Sequence, residues 1–327
     1  MFRFDDRRFA HVFLLASCLV ALATTVTART FEFEYEVTVP AMPEETGDVE
    51  LFIPLPVDDA RQRVLTEDVS GSIPGRVEVE PAYGNRFYHV SARPSTEPLR
   101  VRLRVTVDRS ISTARAAAEG DDVERFLGEN ARVKIGHPVL EPMLNEVRAV
   151  AGPGASPEKA RAIYDWVVDN LEYKKVGSGW GNGDTFWACS ERYGNCTDFH
   201  AMFTSLARTE GIPARFEIGF PVPEDRKKGK IGGYHCWVEF YLPETGWFPI
   251  DASEAFKHPE KRELFYGTHP ADRIHFTTGR DLRLGPDHRG PALNYFVYPY
   301  VEVGGKPWKG ELEKSFRYRD VTPPASS

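Results

Sequence analysis

Tyr193-Gly194-Asn195-Cys196-Thr197-Asp198-Phe199-His200 is the stretch on which the fold turns. Beyond it Phe199, Met202, Phe203 and Leu206 recur at steps of three and four until Gly211-Ile212-Pro213, the pattern of a helix with one buried face and a C-terminal stop. The helix therefore begins at the cysteine. There the unpaired N–H groups and the positive end of the macrodipole favour thiolate over thiol, and the same N–H groups can hold an oxyanion. A buried cysteine acting as a small apolar side chain is the competing reading, and position alone does not choose between them.

The partners decide it. Tyr234-His235-Cys236-Trp237-Val238-Glu239-Phe240-Tyr241 reads as a strand, Pro243 to Gly246 as a turn, and Trp247-Phe248-Pro249-Ile250-Asp251 as the return strand. If Tyr241 lies opposite Trp247, Trp237 lies opposite Asp251, and Asp251 is a diagonal same-face neighbour of His235. A carboxylate beside an imidazole fixes its tautomer and steadies the imidazolium that forms when a thiol proton moves. Cys196, His235 and Asp251 are thus candidates for nucleophile, base and orienting acid. The same alternation sends Cys236 to the opposite face, where a core position is expected. A zinc site built from Cys189, Cys196, His200, His235 and Cys236 is disfavoured, because their spacings fit no paired ligand pattern.

Four motifs stand in order: Gly194-Asn195-Cys196-Thr197-Asp198-Phe199, Gly211-Ile212-Pro213-Ala214-Arg215, Tyr234-His235-Cys236-Trp237-Val238-Glu239-Phe240 and Gly246-Trp247-Phe248-Pro249-Ile250-Asp251. Together they resemble the transglutaminase-like superfamily of papain-related cysteine enzymes, over a span of roughly Arg161 to Glu254. The resemblance implies an α+β fold in which a Cys-bearing helix packs on an antiparallel sheet. It also implies a Cys-His-Asp triad, which carried over is Cys196, His235 and Asp251. Members include protein cross-linkers, peptidases, amidases and scaffolds that have lost the nucleophile. The complete triad argues against the last group. Nothing resembles the calcium sites or flanking barrels of the animal cross-linking enzymes, so a peptidase or amidase is favoured over an acyltransferase, with no cofactor. The expected substrate is a protein, a peptide or a cell-wall peptide. A noncatalytic peptide-binding module on the same fold is the alternative.

Other residues are candidates for lining the cleft. Gly194 would let the chain turn sharply before the cysteine, and Asn195 adjoins it. Trp180 and Trp187 could wall the cleft or donate an indole N–H, or simply pack. His200 falls one turn after Cys196, as a cleft residue or as a hydrogen-bonded structural histidine. Trp237 and Glu239 share the His235 face, as part of a groove or of an ordinary sheet surface. The charged stretch Glu224 to Lys230 is either a rim or a solvated loop.

The rest of the chain frames this core. Arg3, Arg7 and Arg8, an apolar run from Phe9 to Ala23 and the small-residue exit Val26-Thr27-Ala28 have the layout of a cleavable export signal over residues 1–28. Lipidation at Cys18 is the lesser reading. A periplasmic or secreted protein without lasting membrane insertion is expected. Three cysteines follow, Cys189, Cys196 and Cys236, and an odd number leaves one thiol that pairing within the chain cannot use up. A Cys189–Cys236 disulfide would leave Cys196 free. Lys and Arg number 41 against 48 Asp and Glu, a net charge of −7, so a nucleic-acid partner is not expected. Alternation over Phe31 to Val39 and Leu99 to Val107, with shorter strands at Val77 to Val79 and Phe87 to Val90, gives an N-terminal antiparallel β domain over 29–112. A linker and connector helix follow over 113–150, then the catalytic core over 151–256 with a helix capped by Ser156. A β-rich extension over 257–327 closes the chain, and Ala255 to Tyr300 resembles the tail of an exported bacterial subset of the superfamily.

Overall fold

The alternating stretch after Ala28 forms the first strand, β1 (Arg29–Val39), of the computed structural model, which describes residues 28–118 and 120–322. The export signal and Cys18 lie outside the described residues, apart from Ala28. Phe31, Phe33, Tyr35, Val37 and Val39 are buried while the residues between them are mostly half-exposed, as a period of two requires. β1 pairs along its whole length with β6 (Leu99–Arg109). Two further strands, β2 (Val49–Pro54) and β3 (Gln62–Gly71), arise where the sequence reads only as Pro and Gly punctuation. Strands β4 (Arg76–Val79) and β5 (Arg86–Ala92) flank a turn, where Gly84 has φ +76°.

The helices come next. They are α1 (Glu141–Ala151), α2 (Pro157–Asn170), α3 (Thr185–Glu191) and α4 (Cys196–Thr209). Ser156 caps α2 by accepting from the Lys159 N–H at 3.1 Å. Gly211, at φ +80°, lets the chain leave α4, and the Ile212 N–H returns to the Ala207 carbonyl. No helix among the described residues is long and apolar enough to cross a membrane.

A central antiparallel sheet runs in the order β10 (Gly246–Ile250), β9 (His235–Leu242), β7 (Ala214–Pro221), β11 (Arg273–Thr278). Tyr241 pairs with Trp247 and Val238 with Ile250, the register expected of the hairpin. Helix α4 lies on one face of this sheet. Its Phe199, Met202, Phe203 and Leu206 are fully buried among Ile163, Val167, Val238 and Phe240, and each such side chain contributes roughly 1.5–3 kcal/mol through burial. The short α5 (Ala252–Lys257) follows β10 directly. The protein is α+β, with a cysteine-bearing helix on an antiparallel sheet.

The C-terminal strands return to the beginning of the chain. β13 (Glu313–Asp320) inserts between β1 and the short β8 (Lys228–Lys230), giving a sheet ordered β8, β13, β1, β6, β3. β12 (Tyr300–Val303) pairs with β2 in the second sheet, which continues through β5 to β4. The apolar faces of these sheets share one core with the near end of the central sheet, where Phe33 stands 5.3 Å from Phe220 and 5.6 Å from Phe276. The site at that end therefore rests on strands from both ends of the chain.

One buried ion pair fastens the helices. Lys159 of α2 is fully enclosed and donates to Glu210, at the end of α4, at 2.8 Å, while Arg148 of α1 reaches the other oxygen of Glu210 at 2.7 Å. Glu210→Ala leaves the ammonium buried without its partner, and the expected cost is about 3–5 kcal/mol. Replacing Lys159 and Glu210 together by methionine and leucine should restore most of the loss. Thermal unfolding of the two variants measures the difference; equal destabilisation would show that packing, not the stranded charge, sets the cost.

Candidate active site

The start of α4 is held by its own first turn. The Asn195 side chain accepts from the Thr197 N–H, and the Asp198 carboxylate accepts from the Asn195 N–H at 2.9 Å, a capping box. Asp198, fully enclosed, also accepts from Gly181 and Gly183 at 2.6 and 2.9 Å. The glycine-rich loop is thereby clamped to the helix start. Burial pushes the Asp198 carboxyl up against the pull of these three bonds. Gly194 has a different reason from the sharp turn expected of it: a Cβ there would stand 2.2 Å from Asp198 Oδ2, so only glycine leaves room for the cap.

Cys196 is the first residue of α4 and is 2% exposed. Among the described residues no acceptor takes its backbone N–H. His235 opens β9 opposite Gly219 of β7. A Cβ on Gly219 would lie 1.8 Å from the Ile274 carbonyl oxygen, so glycine allows β11 to close against β7 at the bulge beside the histidine. Asp251 follows the last residue of β10 and caps α5 by accepting from the Glu254 N–H at 3.0 Å. Its Oδ2 lies 2.7 Å from His235 Nε2, and the His235 ring also hydrogen-bonds Cys196. The three residues singled out in the sequence come together.

Their electrostatics follow from the contacts. Burial alone would push the Cys196 thiol up. A hydrogen bond from Cys236, then the bond and charge of His235, overcome it and hold the thiol well below its usual range. For His235 burial favours the neutral ring, yet the Asp251 charge and hydrogen bond raise it to about 10. Burial would raise Asp251 as well, but His235 and then Arg273 hold it well below the usual carboxylate range. These shifts favour a thiolate beside an imidazolium.

Three residues of this site had no signal in the sequence reading. Arg273, on β11 and 1% exposed, donates to Asp251 Oδ2 at 3.1 Å, the oxygen that also serves His235. Glu254 places Oε1 3.8 Å from His235 Nε2. Cys236 lies in the core as expected, facing α4, but that face brings its sulfur onto Cys196. Strand alternation separates Cys236 from His235 without separating it from the helix start.

Of the residues considered for the cleft, Asn195 holds the cap and donates to the Tyr234 hydroxyl at 2.9 Å, tying the helix start to the histidine strand. Trp180 is half-buried in the glycine-rich loop with its indole N–H on the Gly177 carbonyl at 3.1 Å, and Lys175 Nζ sits 5.8 Å over its ring. Trp187 packs against Tyr193, and its N–H is taken by the Tyr193 carbonyl at 2.9 Å. Neither indole N–H is free for an oxyanion. His200 and Trp237 are corrections: both are fully enclosed. His200 points from α4 into the core toward Cys236 and Asp251. Trp237 donates to buried Glu217 at 2.7 Å, and Glu239 beside it is paired with Arg215, so that face of β9 is a covered polar layer and not a groove. Cys189, Cys196 and Cys236 are all free thiols, so no disulfide joins Cys189 to Cys236.

A thiol at a helix start, an imidazole from a distant hairpin and a carboxylate behind the imidazole give the layout of a papain-like cysteine site. Comparison gives the particular family that this core resembles: residues 145–252 match the model of the transglutaminase-like superfamily. Over 90% of the chain and 91% of the relative, the sequence is 27% identical to an uncharacterized protein of Haemophilus influenzae. A stretch of 77 residues, 21% of the chain and 10% of the relative, is 32% identical to the uncharacterized protein YebA of Bacillus subtilis. Among solved structures, the Cytophaga hutchinsonii protein named "Putative Cysteine Protease" superposes with a TM-score of 0.59, covering 92% of this chain and 93% of that one at 19% identity, a likeness of fold.

Proposed function

We propose that this protein is an exported cysteine enzyme that cleaves amide bonds of peptides or peptide side chains through a thioester. The observation that carries the reading is His235 held between Cys196 and Asp251, with the 2.7 Å bond on Nε2 leaving Nδ1 for the thiol. The Cys196 thiolate attacks the amide carbonyl, and the free Cys196 N–H at the helix start takes up charge on the oxygen. The His235 imidazolium gives its proton to the leaving amine. The neutral ring then takes a proton from water, and hydroxide attack releases the acid and restores the thiolate. Asp251 keeps the ring oriented and steadies its charge, while Arg273 holds Asp251 ionised. Hydrolysis needs nothing beyond these groups and water. Export rests on the signal-like layout of residues 1–28.

The thiolate–imidazolium pair exists between the pH at which Cys196 ionises and the pH at which His235 loses its proton, about 10. Activity dependent on it is lost on the acid side as the thiolate is protonated and on the alkaline side as the ring becomes neutral. Iodoacetamide should therefore still alkylate Cys196 rapidly at about pH 5, where an ordinary thiol of pKa about 8.5 scarcely reacts. Cys189, pushed up to about 11 chiefly by burial, is the internal control. Alkylation of Cys196 that rises only near pH 8.5 would favour a noncatalytic binding module. Trapping the natural acyl group on the enzyme and identifying it by mass would name the substrate.

A further inference from the structure

Asp251 stands between two histidines, and each histidine faces a cysteine. Its Oδ2 bonds His235 Nε2 at 2.7 Å, and that ring serves Cys196. Its Oδ1 lies 3.6 Å from His200 Nε2, while His200 Nδ1 lies 3.5 Å from Cys236 Sγ. His200 is fully enclosed, and its Nε2 has no hydrogen-bond partner among the described residues. Cys196 and Cys236 are buried in one core, the Cys236 thiol bears on Cys196, and both are free thiols. Hydrolysis uses only the first Cys–His pair. The second is a buried thiol beside the nucleophile with a histidine at its back.

We propose that Cys236 is a resolving thiol: when a hydroperoxide oxidises Cys196, the two sulfurs close into a reversible disulfide that switches the site off and preserves the nucleophile. The proposal rests on the reading of Cys196 as a resting thiolate. In the first step Cys196 sulfur attacks one peroxide oxygen; an S–O bond forms, the O–O bond breaks, and the departing hydroxide leaves as water with the His235 proton. In the second step Cys236 sulfur attacks Cys196 sulfur; the S–S bond forms and the S–O bond breaks. The Cys236 proton ends on the departing hydroxide as a second water. His235 regains its proton from solvent. Two thiols are oxidised to one disulfide, and one hydrogen peroxide is reduced to two waters. Without a thiol in contact, the sulfenic acid would meet a second oxidant and pass irreversibly to the sulfinic acid.

The test treats the purified full chain with a modest excess of hydrogen peroxide, then records intact mass, a peptide map and iodoacetamide labelling of Cys196 before and after dithiothreitol. The expected result is a product about 2 Da lighter than the starting protein, a Cys196–Cys236 linked peptide, and labelling restored by the reductant. In Cys236→Ala, peroxide should instead yield a product about 32 Da heavier at Cys196, with recovery of labelling at least about fivefold lower. A wild-type map that carries sulfinic acid at Cys196 and no linked peptide overturns the switch even if the variant fails to fold, while leaving the nucleophile intact. Oxidation of Cys196 no faster than that of Cys189 overturns both the switch and the thiolate reading beneath it.

Discussion

Cys196→Ala is expected to abolish amide cleavage, with turnover falling by at least about 10,000-fold, because losing a nucleophile removes the covalent path altogether and leaves only binding and the oxyanion donor. The fold should survive. Cys196 is a small enclosed side chain at the first position of α4, the cap is built from Asn195 and Asp198 alone, and alanine suits a helix. The measurement is single-turnover release of amine from a trapped substrate, with thermal unfolding as the control. A folded alanine variant with substantial turnover would remove the thioester from the mechanism.

Asp251→Asn is the second large effect, and it acts through His235. The amide keeps the shape of the carboxyl but carries no charge, so the main cause of the raised His235 pKa is gone and burial then favours the neutral ring. The imidazolium that should protonate the leaving amine is scarce, and the ring is free to take the wrong tautomer. A fall in turnover of about 10,000-fold is expected from the loss of an orienting carboxylate. The charge on Arg273 is also left with Asp272 as its remaining close partner. The distinguishing readout is the pH profile: the alkylation midpoint of Cys196 should rise toward that of an ordinary thiol, and the alkaline limit of activity should fall from about 10. A variant that keeps both midpoints while losing only stability would reduce Asp251 to a structural cap.

The two predictions concern residues that the sequence alone brought together, and the reason lies in the hairpin. A strand of alternating character, a short turn and a return strand fix register residue by residue, so pairing Tyr241 with Trp247 carries Asp251 to His235 with no further information. The helix start was equally legible, because capping is a local event. What surrounds the triad was not. His200 stands on α4 where a helical stripe reads as packing, and its sulfur partner is 36 residues away on a strand. Arg273 reaches Asp251 across 22 residues from a strand that carries no motif. Cys236 shows the limit of alternation. Opposite faces of one strand are distinct, yet at the strand's first residues a helix terminus can reach both.

The β regions divide in the same way. β1 and β6 announce themselves because one face is apolar throughout, whereas β3 is half-exposed along most of its length and leaves little periodic trace. The C-terminal strands could be recognised as strands, but nothing local names their partners, since sheet pairing across the length of a chain leaves no pattern in either segment.

That closure across the chain governs when the site can be complete. Phe31 pairs with Asp320, so the sheet supporting the Cys196 end of the core stays open until the last strand has been delivered. A chain delivered N-terminus first would hold Cys196 in an unfinished setting until the final segment arrives, with contacts of such long range slowing the step further. Completion of this end of the core waits on the C-terminal strand, wherever the chain folds.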